Sequence, residues 1–116
     1  MKRNSLLILT SLLSALATGS IAAAAGDAAA GKDKAITCAT CHGLDGKREI
    51  PLLQGGMAKL AGMDEHKLLD ALIAYRYGRR IHPLMQFFVL PYSDKDMGDI
   101  AAYFSAIKDP LFTPQK

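Results

Sequence analysis

The chain has 116 residues, with fourteen Lys and Arg against eleven Asp and Glu, a formal charge of +3 and a pI near 9.0. This length suits one domain, and a domain of roughly ninety residues buries too little surface to be very stable alone. The basic pI does not point to nucleic acid, because Lys2 and Arg3 lie in a leader whose removal leaves twelve cationic side chains against eleven anionic ones.

Lys2 and Arg3 precede an apolar run from Leu6 to Leu16, and small residues follow from Ala22 to Ala25. This is the layout of a secretory signal peptide, and the run is too short to span a bilayer comfortably. We therefore expect residues 1–25 to be a signal peptide and 26–116 the mature domain, in the periplasm, with no stable membrane span after cleavage. Next comes a helix over about Asp27 to Cys38, begun by an acid that complements the helix dipole and by the strong helix formers Ala28 to Ala30. Gly31 interrupts it at about 1 kcal/mol relative to alanine. Between simple tolerance near a fraying end and a packing reason, the close crossing of a second helix, we expect the crossing.

Cys38-Ala39-Thr40-Cys41-His42 uses both cysteines of the chain. Two thiols and an imidazole at this spacing are what covalent attachment of a c-type haem requires. The thiols bond to the vinyl groups as thioethers, and the adjoining histidine binds the iron. Two rival uses are weaker. Zinc would need His66 and His82 beside the cysteines, and these histidines stand far apart. A redox dithiol of thioredoxin type needs strands around it, and no segment alternates with period two. The motif occurs once, so one haem per chain is expected, and its two propionates would turn the mature charge slightly negative.

Gly43-Leu44-Asp45-Gly46 and Gln54-Gly55-Gly56 read as turns. A second helix is expected from Asp64 to Gly78, with Leu68, Leu69, Leu72, Ile73 and Tyr75 as its apolar face and Gly78 as its C-cap. Arg76, Arg79 and Arg80 complement the negative end of its dipole, and are available to a propionate, an acidic partner or solvent. Pro83 argues for an extended loop through Met85. The third helix has the clearest start: Ser93 caps, Asp96 stands three residues on, and Met97, Ile100, Tyr103, Phe104 and Ile107 recur at helical steps until Pro110. The class is all-α, three main helices with long loops enclosing the cofactor.

Gly26-Asp27-Ala28-Ala29-Ala30-Gly31-Lys32 leading into the Cys38 to Gly43 motif, Ile50-Pro51-Leu52, Gly78-Arg79-Arg80 followed by Met85, and Ser93 through Phe104 together resemble the class I bacterial cytochromes c over nearly the whole mature chain. The resemblance implies the cytochrome c fold and a methionine as sixth iron ligand. Met57, Met63, Met85 and Met97 are the candidates, with His82 as the competitor. The match favours Met85, making Cys38, Cys41, His42 and Met85 the haem-binding set and His42 and Met85 the iron ligands. It also implies that the Pro51 carbonyl accepts a hydrogen bond from the His42 ring. Leu60 through Phe104 is more faintly similar to the cytochrome subunit of flavocytochrome c sulfide dehydrogenases.

The expectation is thus a monohaem electron carrier working between a redox donor and acceptor, a flavoprotein or oxidase among the candidates. It has no catalytic residues and is not an enzyme, because both axial positions are filled. The alternative is a dedicated subunit of an oxidoreductase complex, marked by a contiguous apolar surface from Phe87 to Leu90. A sensing or peroxidatic haem would instead need an open sixth site.

Overall fold

The computed structural model describes residues 25–48 and 57–108. Residues 1–24 of the expected signal peptide, Pro51, the expected turn at Gln54-Gly55-Gly56 and the expected stop at Pro110 lie outside the described residues. Among those described there are five helices and no strand: α1 (Ala28–Lys34), α2 (Ile36–His42), α3 (Glu65–Arg76), α4 (Pro83–Val89) and α5 (Asp94–Ala106). None is long and apolar enough to cross a membrane.

The expected first helix is α1 and α2 together. They are separated only by Ala35, across which the backbone bonds Ala35 N–H to Gly31 O and Ala39 N–H to Ala35 O continue at 2.8 and 2.9 Å. It runs beyond Cys38, so the whole cysteine and histidine motif is helical. Asp27 is the N-cap, its carboxylate accepting from the N–H groups of Ala29 and Ala30. Gly31 is buried where α1 crosses α5: a Cβ there would lie 1.9 Å from the Asp99 carbonyl oxygen, so only glycine permits this approach. The expected crossing helix is α5.

Asp64 caps α3 by accepting from Lys67 N–H. After its last turn Gly78 adopts φ +72°, the left-handed conformation that ends a helix. In α5 the Ser93 hydroxyl and the Asp96 carboxylate satisfy each other's backbone N–H in a full capping box. Phe104, Ile100 and Ala101 of α5 pack with Ala35 and Leu68 to form the core.

A latch of charges holds the crossing. Lys34 Nζ lies 2.7 Å from Asp96 and 2.6 Å from buried Asp99, which also meets Lys95 at 2.8 Å and accepts from Asp27 N–H. Lys34 foremost, then Ser93, lower the Asp96 carboxyl from 3.8 to about 2, and Lys34 followed by Lys95 lowers Asp99 further. Both are depressed on folding, so their contribution is complete above about pH 4 and is lost as pH falls through about 2. The thermal midpoint of the holoprotein is therefore expected to drop across this window. Asp99→Asn should lower the midpoint at neutral pH and flatten its pH dependence. An unchanged slope in the variant would show that the latch does not set acid stability.

One expectation is corrected. Met85 is not in an extended loop but in α4. Proline is excluded from helix interiors because it lacks an N–H, but the first turn has no intrahelical use for that donor. Pro83 therefore opens the helix instead of preventing it, and His82 caps it.

Candidate haem site

A cavity of about 380 Å³ opens among α2, the segment after residue 57, α3, α4 and α5. Its wall is built from apolar side chains such as Leu68, Leu72, Phe88 and Phe104, and it also carries Cys38, Cys41 and His42. On α2 the two cysteines are three residues apart and His42 is four beyond Cys38, so the helical repeat puts all three on one side. The cysteines are not joined to each other. Burial pushes the half-buried Cys38 thiol up, while Cys41 is exposed. The helix carrying them is closed at its C-terminal end by Arg48, whose guanidinium donates to the carbonyls of Thr40 and Cys41 and whose N–H donates to the His42 carbonyl.

His42 is buried, and its Nδ1 lies 2.7 Å from the Ala58 carbonyl oxygen. A carbonyl can only accept, so Nδ1 carries the proton and Nε2 keeps a lone pair available to a metal. His82 shows the opposite arrangement. Its Nδ1 accepts from Met85 N–H at 3.3 Å, which puts the neutral ring's proton on Nε2. The two imidazoles that border the cavity are thus in different tautomers, and only that of His42 has a nitrogen ready for iron.

Met57, Met63, Met85 and Met97 all border the cavity, so proximity alone does not select among them. Met97 is wholly inaccessible on α5, in keeping with core packing. Met85 is half-buried in the first turn of α4, fixed by the His82 cap. His66 is exposed on α3, and among the described residues no group of three or more His, Cys, Asp or Glu is placed to hold a metal ion, so the rival zinc set does not assemble. Of the three arginines, Arg80 reaches the cavity wall, its guanidinium 4.8 Å above the Tyr75 ring. The Phe87 to Leu90 run is divided: Phe88 and Val89 are cavity wall, whereas Phe87 and Leu90 are exposed.

Two contributions escaped the sequence reading. Pro51 lies outside the described residues, and the acceptor for the one proton of His42 Nδ1 is Ala58. Nothing in an alanine marks it, because the acting group is its backbone oxygen. Arg48 was missed too, since a single arginine in a turn has no pattern.

A deep apolar cavity with two unjoined thiols and a metal-ready imidazole on one wall, and a cation at its edge, fits a porphyrin with its vinyl groups, iron and carboxylates. The profile of the Cytochrome c family matches residues 23–108. Cytochrome c4 of Pseudomonas aeruginosa is 43% identical over 101 residues, covering 87% of this chain and 48% of that protein. Cytochrome c-554(548) of Halomonas halodenitrificans is 42% identical over 85 residues, covering 71% of this chain and 98% of that one. The crystal structure of reduced recombinant cytochrome c4 from Pseudomonas stutzeri aligns with a TM-score of 0.63 at 40% identity, over 72% of this chain and 47% of its own. This chain therefore spans about half the length of the cytochromes c4 it matches. Because the family match takes in the motif, the cavity wall and all five helices, the chain belongs to the cytochrome c family, and its cofactor is covalently bound haem c.

Proposed function

We propose that the protein is a periplasmic carrier of single electrons between redox proteins, with Cys38 and Cys41 joined to one haem and His42 and Met85 as its axial ligands. Haem supplies a one-electron couple between Fe(III) and Fe(II). The contrast between the two imidazoles carries this reading. The Ala58 carbonyl orients the His42 ring and makes Nε2 more basic. His82, also on the cavity wall, spends its lone pair on the Met85 N–H, which both denies iron a second imidazole and anchors the turn that holds the Met85 thioether.

The remaining residues set the environment of the couple. The apolar wall would keep water from a bound haem, and the Met85 thioether in such a pocket would favour the reduced form and raise the potential. Arg80, the one Lys or Arg among the described residues lining the cavity, would balance a propionate there. If His42 and Met85 both hold the iron, no iron site would remain for a substrate, which is the arrangement of a carrier and not of an enzyme. The signal peptide layout of residues 1–25 supports the periplasmic address.

The test is a spectroelectrochemical titration of the holoprotein with carbon monoxide binding measured on its ferrous form. We expect one reversible couple with a one-electron slope and no carbon monoxide adduct. Ready formation of the adduct in the untreated ferrous protein would overturn the closed-site reading and favour a sensing or peroxidatic haem.

A further inference from the structure

The geometry points to the outer ridge of α4 as the docking surface for a redox partner whose contact face is apolar and edged with carboxylates, an inference that rests on the electron-carrier reading above. Among the described residues seven large apolar side chains are exposed, and five of them, Tyr77, Ile81, Leu84, Phe87 and Leu90, fall within one short stretch. Leu84, Phe87 and Leu90 follow at three-residue steps along α4 and its C-cap, with Ile81 just ahead of the N-cap; Leu84 also borders the cavity, whereas Phe87 and Leu90 do not. Phe87 is 66% and Leu90 61% exposed. A cluster of this kind on a small protein marks a contact surface.

Its position relates it to electron transfer. Met85 and Phe88 of the same helix line the haem cavity. The exposed Phe87 ring meets the Phe88 ring edge-on, with centroids 5.5 Å apart. A partner seated on the ridge is therefore one aromatic side chain from the cavity wall.

Charge identifies the class of partner. Residues 71–93 contain Arg76, Arg79 and Arg80 and no Asp or Glu. Arg79 and Arg80 are both exposed; Arg80 also borders the cavity, whereas Arg79 is no part of its wall. An apolar ridge in the same carboxylate-free stretch as an exposed cation suits a face with carboxylates at its margin. A second copy suits it less well, because a two-fold contact brings the same patch of each molecule together and supplies two Arg79 side chains with no carboxylate from residues 71–93 to pair them. The exposed cluster is small, in keeping with the brief encounters of redox proteins.

The experiment is stopped-flow oxidation of the reduced holoprotein by two blue-copper proteins of similar potential, one acidic and one basic, over a range of ionic strength. Hexacyanoferrate(III) serves as the oxidant that needs no docking face. The acidic protein should react faster, with a rate that falls as salt is added. Phe87→Gln with Leu90→Gln, neither residue in the cavity wall, should cut that rate about tenfold and leave oxidation by hexacyanoferrate unchanged. Arg79→Glu should slow the acidic protein at low salt and match the wild type at high salt. Equal rates for wild type and double variant, or faster reaction with the basic protein, would overturn the docking surface while leaving the electron carrier standing. A doubled mass in sedimentation that Phe87→Gln abolishes would overturn it in favour of a second copy. Failure of the wild-type protein to react even with hexacyanoferrate would overturn the electron-carrier reading itself.

Discussion

Met85→Ala is expected to give a holoprotein whose ferrous iron binds carbon monoxide and whose oxidised form lacks the weak far-red sulfur-to-iron charge-transfer band. Alanine is the best helix former, so α4 and its His82 cap should survive and the change should be confined to the iron. Met85→His should restore a six-coordinate haem with a potential lower by something on the order of 100 mV, part of the roughly 0.8 V that axial ligation sets. Imidazole stabilises Fe(III) relative to a thioether, which gives the shift its sign. Met57, Met63 and Met97 also border the cavity, so each needs the same substitution as a control. These variants should act through packing and keep the band. If the band survives Met85→Ala and vanishes with one of the others, the sixth ligand is that residue.

Replacing Cys38 and Cys41 by alanine is expected to abolish covalent haem and most cooperative structure with it. Among the described residues, six of the eleven buried apolar side chains are alanine, which contribute little hydrophobic area. The cavity of about 380 Å³ sits among the helices that must pack together. Without haem the apolar wall of that cavity would face water, and the helices around it would lose their common packing partner. The haem thus supplies core that the side chains do not. Circular dichroism and thermal unfolding of the haem-free variant decide the matter: weak helicity and no sharp transition are expected. Native helicity with a cooperative transition would mean that the protein alone closes its core.

The three long helical segments, the Ser93 cap and the Gly78 C-cap could be read from the chain because their determinants are local. Asp27, Asp64 and Ser93 satisfy N–H groups within three residues of themselves, and the Ser93 and Asp96 pair does so reciprocally. The haem motif is equally local, since its chemistry depends on the spacing of Cys38, Cys41 and His42, which a helix preserves. Gly31 was legible for a different reason: a glycine inside a helix implies a neighbour too close for a Cβ, although the sequence did not say that the neighbour was Asp99.

What only the tertiary structure decided depends on groups without a side-chain signature or on segments too short to fold alone. A seven-residue helix such as α4 is marginal in water because nucleation consumes most of what its few hydrogen bonds return. It is formed by packing Met85, Phe88 and Val89 against the cavity, with Pro83 at a position where proline does no harm. The partner of His42 is a backbone oxygen, which every residue possesses, so no residue type could reveal Ala58. The same holds for the tautomers of His42 and His82: each is set by whether the nearest group donates or accepts, a property of the assembled fold. Arg76, Arg79 and Arg80 read alike as a charged helix end, and only the course of the chain beyond Gly78 turned Arg80 toward the cavity and left Arg79 outside it.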